Sequence, residues 1–147
     1  MTAPAKIRTL TVRREVSAPP GKLFDAWLDP GKLADWMRPG DAKRSKIEID
    51  PRVGGEFEVD MQTSSGEVPH TGAYQLIDRP SRLVFTWNSP AAGYHGSLVT
   101  IDFKPTGRGT EVVLTHQNLP SEQEVADHTK GWARILDLMS ESYAKAA

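Results

Sequence analysis

The 147-residue chain contains no cysteine. That absence removes disulfides, thiolate nucleophiles and every zinc site that needs sulfur ligands, and it suits a reducing cytoplasm, the expected location. A dominant charge is missing too. The 18 basic residues are balanced by 19 acidic ones, so no electrostatic footprint points to nucleic acid or an anionic membrane. Long apolar runs are also absent. The opening MTAPAKIRTL holds no signal-peptide core, and nothing approaches the ~18 consecutive apolar residues of a membrane span. Catalytic signatures are equally scarce, with no GxSxG elbow, no phosphate loop, no GxGxxG and no HExxH. What remains is an ordinary globular composition, 38% apolar and 25% charged. We expect residues 1–147 to form one domain with its core from about 7 to 145.

The clearest helical signal lies at the end, from Pro120 to Tyr143. Val125, Thr129, Trp132, Leu136, Met139 and Tyr143 recur at spacings of three and four, which places them on one face. Ser121 is positioned to cap the first turn, with Glu124 three residues on. A helix of about 22 residues runs roughly 33 Å, and its bulky Trp, Met and Tyr need a concave partner.

The rest of the chain supplies one. Residues 7–16 alternate as a strand burying Leu10, Val12 and Val16, with Arg14 on the inward parity, where it snorkels out, pairs with an acid or enters a cavity. Pro19-Pro20 and Asp29-Pro30 open two short helices carrying Leu23, Phe24, Trp27, Leu33, Trp36 and Met37, stopped at Pro39-Gly40. From residue 45 the period becomes two. Strands are expected at 46–50, around Phe57-Val59-Met61, at 67–77, around Leu83-Phe85-Trp87, around Val99-Ile101-Phe103 and around Val112-Leu114-His116, with a loop from Asn88 to Gly96. The result is an α+β domain: one strand, two short helices, six antiparallel strands and a long helix across the concave face of a curled sheet.

Five stretches then appear in order: SAPPGKLFDAWLDPGKLADWM, IDPRVGG, HTGAYQLIDRPSRLVFTW, GTEVVLTHQNLP and HTKGWARILDLM. Together they resemble the START-like, or SRPBCC, superfamily with its helix-grip fold. Within it the chain is similar to bacterial homologues of the C-terminal domain of the heat-shock-protein ATPase activator. The resemblance covers roughly residues 8–143 and implies an apolar cavity between sheet and helix. The superfamily hosts lipid carriers, receptors, cyclases and co-chaperones, so it implies no single function. A co-chaperone or stress-related interaction module is a third reading, but the chain is expected to lack the activator's separate N-terminal domain, so a chaperone partner and stimulation of its ATPase are not the expected outcome.

The inward set offers candidate ligand contacts: Trp36, Met37, Phe57, Met61, Tyr74, Phe85, Trp87, Phe103, His116, Trp132, Leu136 and Met139. Two readings of these side chains stay open, a filled core and the lining of a pocket for a hydrophobic or aromatic small molecule. Arg14, His70 and His128 are possible polar groups of such a cavity, and His95 falls in the long loop. His116 shares its strand's inward parity and is expected to hydrogen-bond to Tyr74 or Arg14. A cyclase-like enzyme would need Arg14, Tyr74 and His116 to converge on one point. No histidine pair has helical metal spacing, and no metal or cofactor is expected. Glu56, Glu58 and Asp60 oppose Phe57 and Val59, and so face solvent. Gly131, beside Trp132, marks either a close helix–sheet contact or a bend.

Overall fold

The computed structural model describes residues 8–38, 43–89 and 94–144, and the side chains of Tyr94 and His95 lie outside that description. Elements follow the expected order: β1 (Leu10–Val16), α1 (Pro20–Ala26), α2 (Pro30–Trp36), β2 (Lys43–Ile49), β3 (Glu56–Thr63), β4 (Gly66–Asp78), β5 (Arg82–Ser89), β6 (Tyr94–Thr106), β7 (Gly109–Gln117) and α3 (Glu122–Ala144). The seven strands form one antiparallel sheet in the order β1-β7-β6-β5-β4-β3-β2. This is the α+β helix-grip arrangement. Two boundaries differ from expectation. β2 begins at Lys43 because its pairing with β3 resumes across an irregularity between Lys43 and Lys46. The long loop shrinks because Ser89 still pairs with Tyr94. The helix stop at Pro39-Gly40 lies outside the described residues.

Local chemistry accounts for the helices. Pro20 and Pro30 each occupy a first-turn position, where a missing N–H costs nothing. Asp29 caps α2 by accepting from the backbone N–H groups of Gly31 at 2.9 Å and Lys32 at 3.3 Å. Ser121 Oγ accepts from Glu124 N at 3.1 Å at the start of α3. The buried stripe of α3 is Trp132, Ile135, Leu136, Met139 and Tyr143. Ile135 joins the expected set because it sits three residues beyond Trp132 and four before Met139. Val125 and Thr129, nearer the N-terminal end, are only partly covered.

The concave face is filled unevenly, and the two short helices are the reason. They plug one end of the sheet. Phe24 meets Phe103 edge-on at 5.4 Å, Trp36 packs between Trp27 and Tyr143, and Trp27 Nε1 donates to Met139 Sδ at 3.2 Å. Phe24, Trp27, Trp36 and Phe103 therefore pack at the end of the sheet where Met139 and Tyr143 of α3 come down. The N-terminal half of α3 has no such plug beneath it.

Glycine permits one close approach that shapes the sheet. Phe57 pairs with Gly72 across β3 and β4, and a Cβ at residue 72 would lie 2.0 Å from Thr86 O and 2.4 Å from Phe57 Cζ. The phenyl ring rests where a side chain would otherwise stand. Gly72→Ala is expected to destabilise the fold by about 2–3 kcal/mol through overpacking, measured by urea denaturation. A neutral result would show that both the β5 backbone at Thr86 and the Phe57 ring give way freely.

Candidate functional site

Among the described residues, two spaces lie against the inner face of the sheet, one under the short helices and one under α3. The first, about 20 Å³, lies among Trp27, Met37, Phe57, Tyr74, Phe85 and their neighbours, and is essentially closed by packing. The second, about 160 Å³, opens beside the N-terminal half of α3. Its helix wall is Asp127, His128, Gly131, Trp132 and Ile135, a spacing of three and four that keeps them on one face. Its sheet wall is Met61 of β3, His70 of β4 and Trp87 of β5.

The side chains expected to line a cavity therefore divide. Met61, His70, Trp87, His128 and Trp132 border the larger space. Met37, Phe57, Tyr74 and Phe85 border only the small one. Trp36, Phe103, Leu136 and Met139 are buried in the packed core and border neither. Arg14 does not enter the cavity. β1 is an edge strand, so Arg14 reaches past the helix flank and its Nε bonds Asp137 Oδ1 at 2.6 Å. Exposure of both side chains keeps that pair a modest contributor.

His116 has partners other than those expected. It is fully buried. Trp132 Nε1–H, which can only donate, gives its hydrogen to His116 Nδ1 at 3.0 Å. His116 Nε2 must then carry the ring hydrogen, and it faces Ser97 Oγ at 2.8 Å. Ser97 in turn donates to the carbonyl of Trp87. The relay Trp132–His116–Ser97–Trp87 fixes one neutral tautomer and ties α3 to β7, β6 and β5. Burial, with His128 close by, pushes the His116 pKa down to about 3. Both ring nitrogens are engaged within the protein, so His116 bridges α3 to the sheet. Tyr74, meanwhile, packs against Phe57 and Phe85 at 5.4 and 6.2 Å, and burial raises its hydroxyl pKa. Arg14, Tyr74 and His116 are thus engaged with separate partners, which leaves the cyclase-like arrangement without its common point.

The pocket's own polar groups are held tightly. His70 stacks on Trp87 with ring centroids 4.9 Å apart, and its Nδ1 faces Val68 O at 3.1 Å. Burial brings its pKa down to about 4. His128 Nδ1 faces Glu124 O at 2.8 Å, one helical turn back. The Trp87 ring is 2% exposed, and its Nε1 has no hydrogen-bond partner among the described residues. An indole N–H left so costs about 1–3 kcal/mol. Among the described residues, no three His, Asp or Glu side chains are grouped to hold a metal ion.

Sequence reasoning missed Ile135, Asp127 and Ser97. Ser97 had a signal, since it shares the inward parity of Val99 and Ile101, where a lone hydroxyl needs a partner. A larger concavity, about 580 Å³, lies on the opposite face of the sheet, where Glu48, Glu56 and Glu58 stand beside Thr71, Thr86 and Asn88. It is an open, solvated groove made by the coiling of β2–β5. Hydrogen bonding to Asp60 raises the Glu58 carboxyl pKa there.

Comparison with known proteins agrees with this architecture. A structure from Chromobacterium violaceum superposes with a TM-score of 0.81 at 23% identity, covering 92% of this chain and 97% of its own. One from Mesorhizobium loti gives 0.80 at 23%, covering 95% and 99%. An activator-like protein from Aeromonas hydrophila, solved by NMR, gives 0.75 at 24%, covering 94% and 92%. At such identities the likeness speaks for the fold alone. No curated protein matches the chain. No helix among the described residues is long and apolar enough to cross a membrane. The model of the family described as activator of Hsp90 ATPase homolog 1-like protein matches residues 17–143, from the turn before α1 to the last turn of α3, and the chain belongs to that family.

Proposed function

We propose that the protein binds a small apolar molecule, about the size of one aromatic ring, in the pocket between the N-terminal half of α3 and strands β3–β5. The observation that carries this reading is the pocket of about 160 Å³ walled by Met61, Trp87, Trp132, Ile135 and Gly131. An apolar cavity of ~150 Å³ in another protein suffices to hold benzene. Drug-sized ligands and lipids fill sites of roughly 300–1,000 Å³, so the candidate here is a single ring. Thioether and indole walls suit such a guest through dispersion and sulfur–aromatic contact.

Gly131 makes the reading testable. It sits on the pocket-facing stripe of α3, one residue before Trp132. Gly131→Leu gains up to ~1 kcal/mol of helix propensity while placing a branched side chain on the stripe that walls the pocket. Toluene, titrated into the wild type and followed by NMR, is expected to shift the Met61 methyl and the Trp132 and Ile135 signals. The variant, equally or more stable, is expected to bind at least tenfold more weakly. Equal binding by both proteins would place the guest elsewhere.

A further inference from the structure

We infer that Met61 is a peroxide-sensitive element of the pocket, whose oxidation to the sulfoxide drives the apolar guest out. The inference rests on the pocket being the binding site and adds how its occupancy is controlled. The chain has no cysteine, so its thioethers are the sulfur nucleophiles that a peroxide meets. Met1 lies outside the described residues, and the other three methionines differ in surroundings. Met139, on α3, is 0% exposed, and its Sδ already accepts the Trp27 Nε1 hydrogen at 3.2 Å. Met37, just beyond α2, is 2% exposed and borders the space of about 20 Å³ that packing closes. Met61, on β3, is 7% exposed and stands in the wall of the open pocket of about 160 Å³. Hydrogen peroxide is little larger than a water molecule, which takes ~30 Å³ in the liquid. The space that holds an apolar ring therefore also admits the oxidant to Met61.

The step needs no further reagent. The Sδ lone pair attacks one peroxide oxygen and the O–O bond breaks. The departing hydroxide takes the proton of the transferred oxygen and leaves as water. Sulfur gives up two electrons and the peroxide accepts them. The product replaces a polarisable apolar contact with a polar sulfoxide oxygen. Seating an apolar ring against that oxygen strips it of water. The wall does not give back what is lost, because the Trp132 hydrogen is spent on His116 and the Nδ1 atoms of His70 and His128 face backbone carbonyls. A bound ring, in turn, occupies the space the peroxide needs, so occupancy and oxidation oppose each other.

Hydrogen peroxide treatment at pH 7, followed by digestion and mass spectrometry, reads each methionine separately. Met61 is expected to form sulfoxide at least about tenfold faster than Met37 or Met139. Saturating toluene is expected to slow Met61 at least about fivefold and to leave the other two unchanged. The oxidised protein is expected to bind toluene at least about tenfold more weakly by NMR titration. Met61→Leu conserves volume, and its affinity, whatever its starting value, is expected not to change on peroxide treatment. Oxidation of Met61 no faster than Met139, undiminished binding by the oxidised protein, or an equal loss in peroxide-treated Met61→Leu would each overturn the inference while leaving the pocket as the site. Failure of toluene to bind the untreated protein would overturn the pocket reading and this inference with it.

Discussion

Lowering the pH from 7.5 to 5 is expected to cost the fold roughly 4 kcal/mol, through His70 and His116 together. Both rings are buried in neutral form, with pKa values pushed from 6.5 to about 4 and about 3. The unfolded chain therefore binds protons that the folded chain refuses. Their contribution is fully present above pH 6.5 and falls as pH drops, at about 1.4 kcal/mol per unit for each histidine, until the folded-state values are reached. The carboxylates whose pKa values are lowered by Arg79 or by Gln62 and Lys46, Asp25 and Glu67, act below this window. Urea denaturation at pH 7.5, 6 and 5 reads the slope. Replacing either His70 or His116 by Gln is expected to flatten it by about half, whatever the variant does to stability at pH 7.5. A profile unchanged by both substitutions would show that neither ring is buried neutral. Since small domains are held by about 5–15 kcal/mol, this loss alone brings the protein close to acid unfolding.

Trp132→Ala is expected to destabilise the protein by about 3–5 kcal/mol at pH 7.5. The indole is 2% exposed and packs on Trp87 with ring centroids 5.2 Å apart. It also donates to His116 Nδ1, so truncation leaves a buried acceptor unmatched as well as a cavity. Trp132→Phe separates the two effects, because it keeps most of the packing and loses the donor. It is expected to cost about 1–3 kcal/mol. The same residue borders the pocket, so the alanine variant enlarges the binding space at the expense of the structure that holds it. A loss below about 1 kcal/mol for Trp132→Ala would mean that α3 seats without this side chain.

The expected and observed sites differ for reasons of range. Period-two alternation is local, and it correctly put Phe57, Tyr74, Phe85 and Trp87 on the inner face. Whether inward side chains enclose space or fill it depends on contacts far apart in sequence. Trp27 meets Met139, and Trp36 meets Tyr143, only when the helix plug closes under α3. That plug turned most of the candidate lining into core and left an opening at the other end. Arg14 shows the same limit. Its parity is inward, but only the sheet order reveals that β1 is an edge from which a long side chain can reach Asp137. His116 was readable as a buried, hydrogen-bonded ring. Its partners were not, because Ser97 reaches it only when β6 pairs with β7 and Trp132 only when α3 seats on the sheet.

The unequal filling of the concave face also sets what the site can select. A helix that was seated along its whole length on packed side chains would leave no room for a guest. Here the plugged half anchors α3, and the unplugged half holds Gly131 beside the pocket. Rigidity at one end and space at the other come from the same placement of α1 and α2.

The most direct test is an NMR titration of isotope-labelled protein with toluene, followed at every assigned backbone, methyl and indole signal. Saturable shifts are expected to concentrate on Met61, His70, Trp87, Trp132 and Ile135, the residues that wall the pocket. Shifts confined to the outer groove at Glu48, Glu58, Thr71 and Asn88, or no change at saturating toluene, would contradict the pocket assignment.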